Sequence, residues 1–157
     1  MQQTQSQVEK RLSEAGITLP KTPKPVAAYV PAKTVGKLVY TSGNDCRIDG
    51  ILKYTGKVGK DLNVEQGYDA ARQVAINLLG VLKDHIGDLD KVKQVVKMLA
   101  FVNSADGFTE QPFVINGASD LLELAFEDAG KHARSAISAN ELPFDTPVEI
   151  ELIVELK

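Results

Sequence analysis

The C-terminal segment constrains the fold most tightly. From Val148 to Leu156, apolar Val148, Ile150, Leu152, Val154 and Leu156 alternate with Glu149, Glu151, Ile153 and Glu155. A period of two belongs to a strand that lays one face on a core, so the chain must build a sheet and cover one side of it. Upstream, Leu142-Pro143-Phe144-Asp145-Thr146-Pro147 is turn chemistry long enough to reverse the chain. The spacing predicts that 133–138 lies antiparallel to the last strand, which would set Arg134 and Glu149 close across the pair.

The preceding chain reads as an ordered series of elements. Residues 5–15 fit a short helix, with Val8, Leu12 and Ala15 on one side and Gly16 as its stop. A Pro/Lys connector follows, then strands over 26–30 and 37–42 with a turn through Lys33-Thr34-Val35-Gly36, then a polar loop over 43–60. Asn63 begins a helix, with Gln66 at the capping-box position and an apolar stripe from Tyr68 to Leu82. Residues 92–102 form a strand, and 112–129 a second long helix. The order β-β-α-β-α-β-β implies an α+β fold with a mixed sheet and two helices on one face. Leu99 and Phe101 on one side of a strand, with Met98, Ala100 and Val102 on the other, leave the second face either partly exposed, which antiparallel sheets tolerate, or covered by self-association, which is the expectation here.

Composition narrows the function. The chain has 157 residues, 43% hydrophobic and 25% charged, which fits one globular domain over 1–157 with residues 1–25 as a helical extension and connector. A net charge of −3 and the lack of a basic stripe disfavour nucleic-acid binding by phosphate neutralisation. Cys46 is the single cysteine, so no intrachain disulfide forms. With no signal-peptide pattern at Met1-Gln2-Gln3-Thr4 and no membrane-length apolar run, a cytoplasmic setting is expected. His85 and His132 lack carboxylate or thiol partners at metal-ligand spacing, so no metal is expected, and His132 is expected to be interfacial or exposed. Ser42 and Ser135 lack an evident His–Asp pair, and no glycine-rich phosphate loop opens a helix.

Tyr29, Thr41-Ser42-Gly43, Asn116, Arg134-Ser135 and Leu142-Pro143 followed by Val148-Glu149-Ile150-Glu151 occur in this order at compatible spacing. Together they resemble the Rid/YjgF family, the reactive-intermediate deaminases also labelled L-PSP endoribonucleases, and in particular its longer branch. The resemblance runs from about Val26 to the C-terminus. It implies a chorismate mutase-like fold and a homotrimer whose sheets form an inner barrel, with ligand clefts between subunits. Deaminating members hydrolyse 2-imino or 2-enamino acids to 2-oxo acids and ammonia, without a cofactor.

The resemblance implies a role for each residue. Arg134 would bind the substrate carboxylate, a task suited to a guanidinium that stays charged and makes parallel hydrogen bonds. Glu149 would orient and activate water. Tyr29 would line the cleft, and Gly43 would offer its carbonyl to the imine nitrogen. Ser42, Ser135, Ala136 and Asn116 complete the implied binding positions. Each has a structural alternative: an ion-paired surface arginine, a solvated glutamate, a tyrosine at a strand end, a turn glycine and a helix-capping asparagine. Many deaminating relatives carry cysteine where this chain has Ala136, which removes thiol chemistry there but leaves the backbone N–H. Two further functions stay open: a non-catalytic binding or regulatory protein for 2-oxo acids, and an endoribonuclease, which the acidic balance disfavours.

Overall fold

A computed structural model describes residues 6–25 and 27–157. The elements run α1 (Gln7–Glu14), β1 (Ala32–Val35), β2 (Leu38–Thr41), β3 (Arg47–Ile48), β4 (Ile51–Leu52), α2 (Val64–Ile86), β5 (Val92–Asn103), α3 (Gln111–Phe126), β6 (Ala133–Ala139) and β7 (Val148–Leu156). Five strands form one sheet in the order β1-β2-β7-β5-β6, and β3 and β4 make a separate small hairpin. Only the β5–β6 pair is parallel in the larger sheet, so the sheet is mixed as the element order predicts.

One expectation is overturned. β6 and β7 do not pair, because β5 runs between them. The physical reason is α3. A helix joining β5 to β6 returns the chain to the starting end of the sheet, so β6 lies parallel beside β5. The turn that follows then carries β7 back to the other side of β5.

The first strand is also displaced. Residues 27–30 carry no strand; β1 instead starts at Ala32 and turns directly into β2, with Gly36 in the left-handed region (φ 59°). The hairpin requires that conformation, which glycine adopts without Cβ strain. Val26 and Gln5, where the expected strand and first helix began, lie outside the described residues.

The helices cover the face lined by Val39, Met98, Ala100, Val102, Ile150, Leu152 and Val154, all buried. Helix α2 starts as its sequence predicts: Asn63 accepts from the Gln66 N–H, and the Gln66 side chain accepts from the Asn63 N–H. It meets α3 closely where Gly117 lies against the Tyr68 carbonyl. A Cβ on Gly117 would sit 2.0 Å from that oxygen, so the crossing admits only glycine. α1 packs on α3 and is fastened by Asp90, whose carboxylate accepts from the Gln7 and Val8 N–H groups at 2.8 and 3.0 Å. Ser6 also donates its hydroxyl to Asp90 at 2.8 Å.

Among the described residues, no helix lies over the other sheet face. Tyr40 and Ile137 are exposed there, and Leu99, Phe101 and Ile153 are half-buried among Glu149, Glu151 and Lys97.

Candidate active site

The expected site residues fall into two groups on this chain. Arg134 pairs with buried Met98 in the β5–β6 register, which puts it on the helix-covered face. Its Nη1 donates to Ser119 Oγ at 3.0 Å and its Nη2 to the Pro112 carbonyl at 3.2 Å. The remaining guanidinium N–H groups have no partner among the described residues. Pro112, Asn116 and Ser119 follow helical i, i+4, i+7 spacing and share one stripe of α3, so Asn116 belongs to this group. Asn116 is not a cap, because Glu110 precedes the helix. Ala136 shares the face of Arg134 by the strand period, whereas Ser135 pairs with Leu99 and projects to the opposite face.

Glu149 anchors the second group. It pairs with Phe101, three residues from Met98 along β5 with no bulge between, and so projects from the face opposite Arg134. Burial, then the charges of Asp45 and Glu151, push its carboxyl above the usual glutamate range. Asp45 is itself paired with Arg47 at 3.0 Å, and Arg47 lies over the Phe144 ring at 4.9 Å to its centroid.

Gly43 closes tightly on Glu149. A Cβ there would lie 3.1 Å from both Cδ and Oε2 of the carboxylate, so glycine permits this approach. Asn44 then continues the pairing onto β7, exchanging N–H and carbonyl bonds with Ile150. Ser42 ties down the segment before β1: its N–H donates to the Pro31 carbonyl at 2.9 Å and its hydroxyl to the Val30 carbonyl at 2.6 Å. Exposed Tyr29 directly precedes Val30 in the chain.

The turn before β7 contributes strain. Phe144 and Asp145 are consecutive non-glycine residues at φ 58° and 62°. Asp145 is held by Asn103 Nδ2 at 3.1 Å and by the Gly56 N–H at 2.9 Å, so neighbouring structure fixes a conformation that costs energy locally.

Sequence reasoning missed Ser119, His132 and Asp45. His132 is half-buried, with Nε2 3.0 Å from Ser119 Oγ and Nδ1 2.6 Å from the Gly130 carbonyl. The helical stripe from Pro112 through Asn116 to Ser119 is the sequence signal that would have found Ser119. Among the described residues, no cluster of three or more His, Cys, Asp or Glu could hold a metal, and no helix is long and apolar enough to cross a membrane.

Comparison with known proteins bears on the fold and the family of this chain. A YjgF/chorismate mutase-like family model, whose description also carries an endoribonuclease label, matches residues 9–156. The chain belongs to the Rid/YjgF family. The chain is similar to Protein TCP17 of Trypanosoma cruzi, 41% identical over 150 residues, covering 95% of this chain and 94% of that protein. A crystal structure of an Agrobacterium tumefaciens protein of unknown function superimposes with a TM-score of 0.90 at 42% identity, covering 96% of this chain and 92% of that one. A 2-iminobutanoate/2-iminopropanoate deaminase of Dermatophagoides farinae is 28% identical over 144 residues, covering 90% of this chain and 95% of that protein. The chorismate mutase-like α+β fold is thus the fold of this Rid/YjgF chain.

Proposed function

We propose that this chain hydrolyses 2-imino and 2-enamino acids to 2-oxo acids and ammonia, in clefts between copies of itself in a homotrimer. The observation that carries the reading is the division of the site. An arginine with unused N–H groups among the described residues and a glutamate whose carboxyl is held above its usual range lie on opposite faces of one sheet. Neither group can serve the other's ligand within one protomer, so each cleft takes Arg134 from one copy and Glu149 from the next. The name and similarity of the mite deaminase support the substrate class.

In this reading Arg134 grips the substrate carboxylate through paired hydrogen bonds, with Asn116 and the Ala136 N–H beside it. Glu149 takes a proton from water as the oxygen adds to the C=N carbon and passes it to the nitrogen, giving a tetrahedral carbinolamine. Glu149 then takes the O–H proton and delivers it to the nitrogen as the C–N bond breaks, so that ammonia leaves, the 2-oxo acid forms and the carboxylate is regenerated. Gly43 offers its carbonyl to the nitrogen, and Ser42, Ser135 and Tyr29 shape the cleft.

The test is a coupled assay in which an amino-acid oxidase generates a panel of 2-imino acids. Faster imine loss with wild type and none above background with Arg134→Ala is the expected result. No acceleration on any imine, with 2-oxo acids still bound through Arg134, would replace the enzyme by a metabolite-binding protein. RNA cleavage that survives repurification and disappears with Arg134→Ala would favour the endoribonuclease instead.

A further inference from the structure

The Arg134 guanidinium sits at one end of a hydrogen-bonded chain whose direction chemistry fixes. The chain runs Arg134 Nη1, Ser119 Oγ, His132 Nε2, then His132 Nδ1 to the Gly130 carbonyl, at 3.0, 3.0 and 2.6 Å. A carbonyl oxygen only accepts, so Nδ1 carries a proton. In the neutral imidazole Nε2 is then an acceptor, and the Ser119 hydroxyl donates to it. That fixes the hydroxyl rotor and leaves an oxygen lone pair for the Arg134 N–H. Every donor in the chain has one acceptor.

The far end of the chain is rigid. Gly130 packs against the end of α3 so closely that a Cβ would meet the Leu122 carbonyl at 2.2 Å. Its own carbonyl therefore has a fixed place, and His132, two residues on, hangs from it at the start of β6. On the other side the Pro112 carbonyl takes Nη2, so the guanidinium plane is held by two residues about two turns apart on one stripe of α3.

We propose that Ser119 and His132 are positioning residues, which hold Arg134 in its ligand-binding orientation before the ligand arrives. The inference rests on the reading of Arg134 as the carboxylate anchor. An arginine side chain loses considerable rotamer freedom when it grips a ligand, and restraining it beforehand raises affinity without adding a contact. Ser119 is not a nucleophile here: the Arg134 N–H occupies its oxygen, and His132 Nδ1 faces a carbonyl rather than a carboxylate.

The experiment measures 2-oxobutanoate affinity by calorimetry, together with KM and kcat on the corresponding imine, below the melting temperature of every variant. Ser119→Ala should raise Kd and KM roughly tenfold, the equivalent of about 1.4 kcal/mol, with a smaller change in kcat. Ser119→Thr, which keeps the hydroxyl, should restore most of the affinity. His132→Gln, which keeps a polar group near the Nε2 position, should bind better than His132→Ala. Wild-type Kd and KM in both Ser119→Ala and His132→Ala, alongside lost binding in Arg134→Ala, would overturn the positioning role and leave the anchor intact. Unchanged 2-oxobutanoate binding in Arg134→Ala would instead remove the anchor itself, and this inference with it.

Discussion

Arg134 and Glu149 project from opposite faces of one sheet, with β5 running between their strands. Neighbouring strands lie about 4.8 Å apart, so two strand spacings already separate their backbones, and their side chains leave in opposite directions. A small 2-imino acid cannot touch both on one chain.

Mixing therefore distinguishes a shared cleft from a private one. Arg134→Ala and Glu149→Gln proteins should each be inactive alone. Unfolded together and refolded at equal amounts, they should regain about a quarter of wild-type activity, since every mixed ring of three holds one intact cleft. Activity that stays at background, in a mixture proven to contain mixed trimers, would rule out the shared cleft.

The acid side of the pH profile should belong to Glu149. Burial, Asp45 and Glu151 hold its carboxyl above the ordinary range, and it must be ionised to take a proton from water. Activity should fall on acidification through that raised value, earlier than an ordinary glutamate would allow. Stability runs the other way. A carboxyl raised in the folded state favours folding fully only below its unfolded value, and that contribution is lost as pH rises through the folded one. Glu149→Gln should therefore melt higher than wild type near neutrality, with the gap closing on acidification. Thermal melts across pH read both limbs, and an identical pH dependence for the two proteins would contradict the assignment.

Asp90 is expected to govern the docking of α1. Burial pulls its carboxyl upward, but the Val8 and Gln7 N–H groups, the Ser6 hydroxyl and the Lys157 charge together hold it below the usual aspartate range. A lowered carboxyl stabilises the fold above its unfolded value, and the contribution disappears as pH falls through the folded one. Asp90→Ala removes the acceptor of the Gln7 and Val8 N–H groups at the start of α1 and should cost about 1 kcal/mol. Hydrogen exchange should report it as faster exchange confined to 7–14, since the sheet does not depend on this contact.

Gly117→Ala should destabilise the chain even though alanine is the better helix former. The propensity gain is about 1 kcal/mol. A Cβ placed 2.0 Å from the Tyr68 carbonyl forces the helices apart, and overpacking of this kind costs about 1–3 kcal/mol or more. Denaturant titration should show a lower midpoint; an equal or higher one would mean that the α2–α3 crossing is looser than its geometry.

Periodicity made most elements legible. The alternation over β7 and the capping box at Asn63 and Gln66 predict the structures found. Adjacency was harder to read. A strand pattern shows which residues share a face but not which strand lies beside it, and a turn as long as 140–147 can reach past a neighbour. The β5-α3-β6 order contained the missing clue, since a helical crossover returns a parallel partner. Site residues on one strand or helix, such as Arg134 with Ala136 or Asn116 with Ser119, follow from spacing. Asp45 beside Glu149 and His132 beside Ser119 depend on tertiary approach, which no local pattern encodes.

Helix α3 works like a shaft running in two bearings. One side, at Gly117, is seated against α2 without clearance; the other, two residues along at Ser119, carries the Arg134 guanidinium. A substitution that shifts the shaft in its first bearing turns the second, so a change at the buried helix crossing is carried to the Arg134 guanidinium from a distance. On the proposed reading of Arg134 as the carboxylate anchor, core packing and ligand affinity would then be adjusted together.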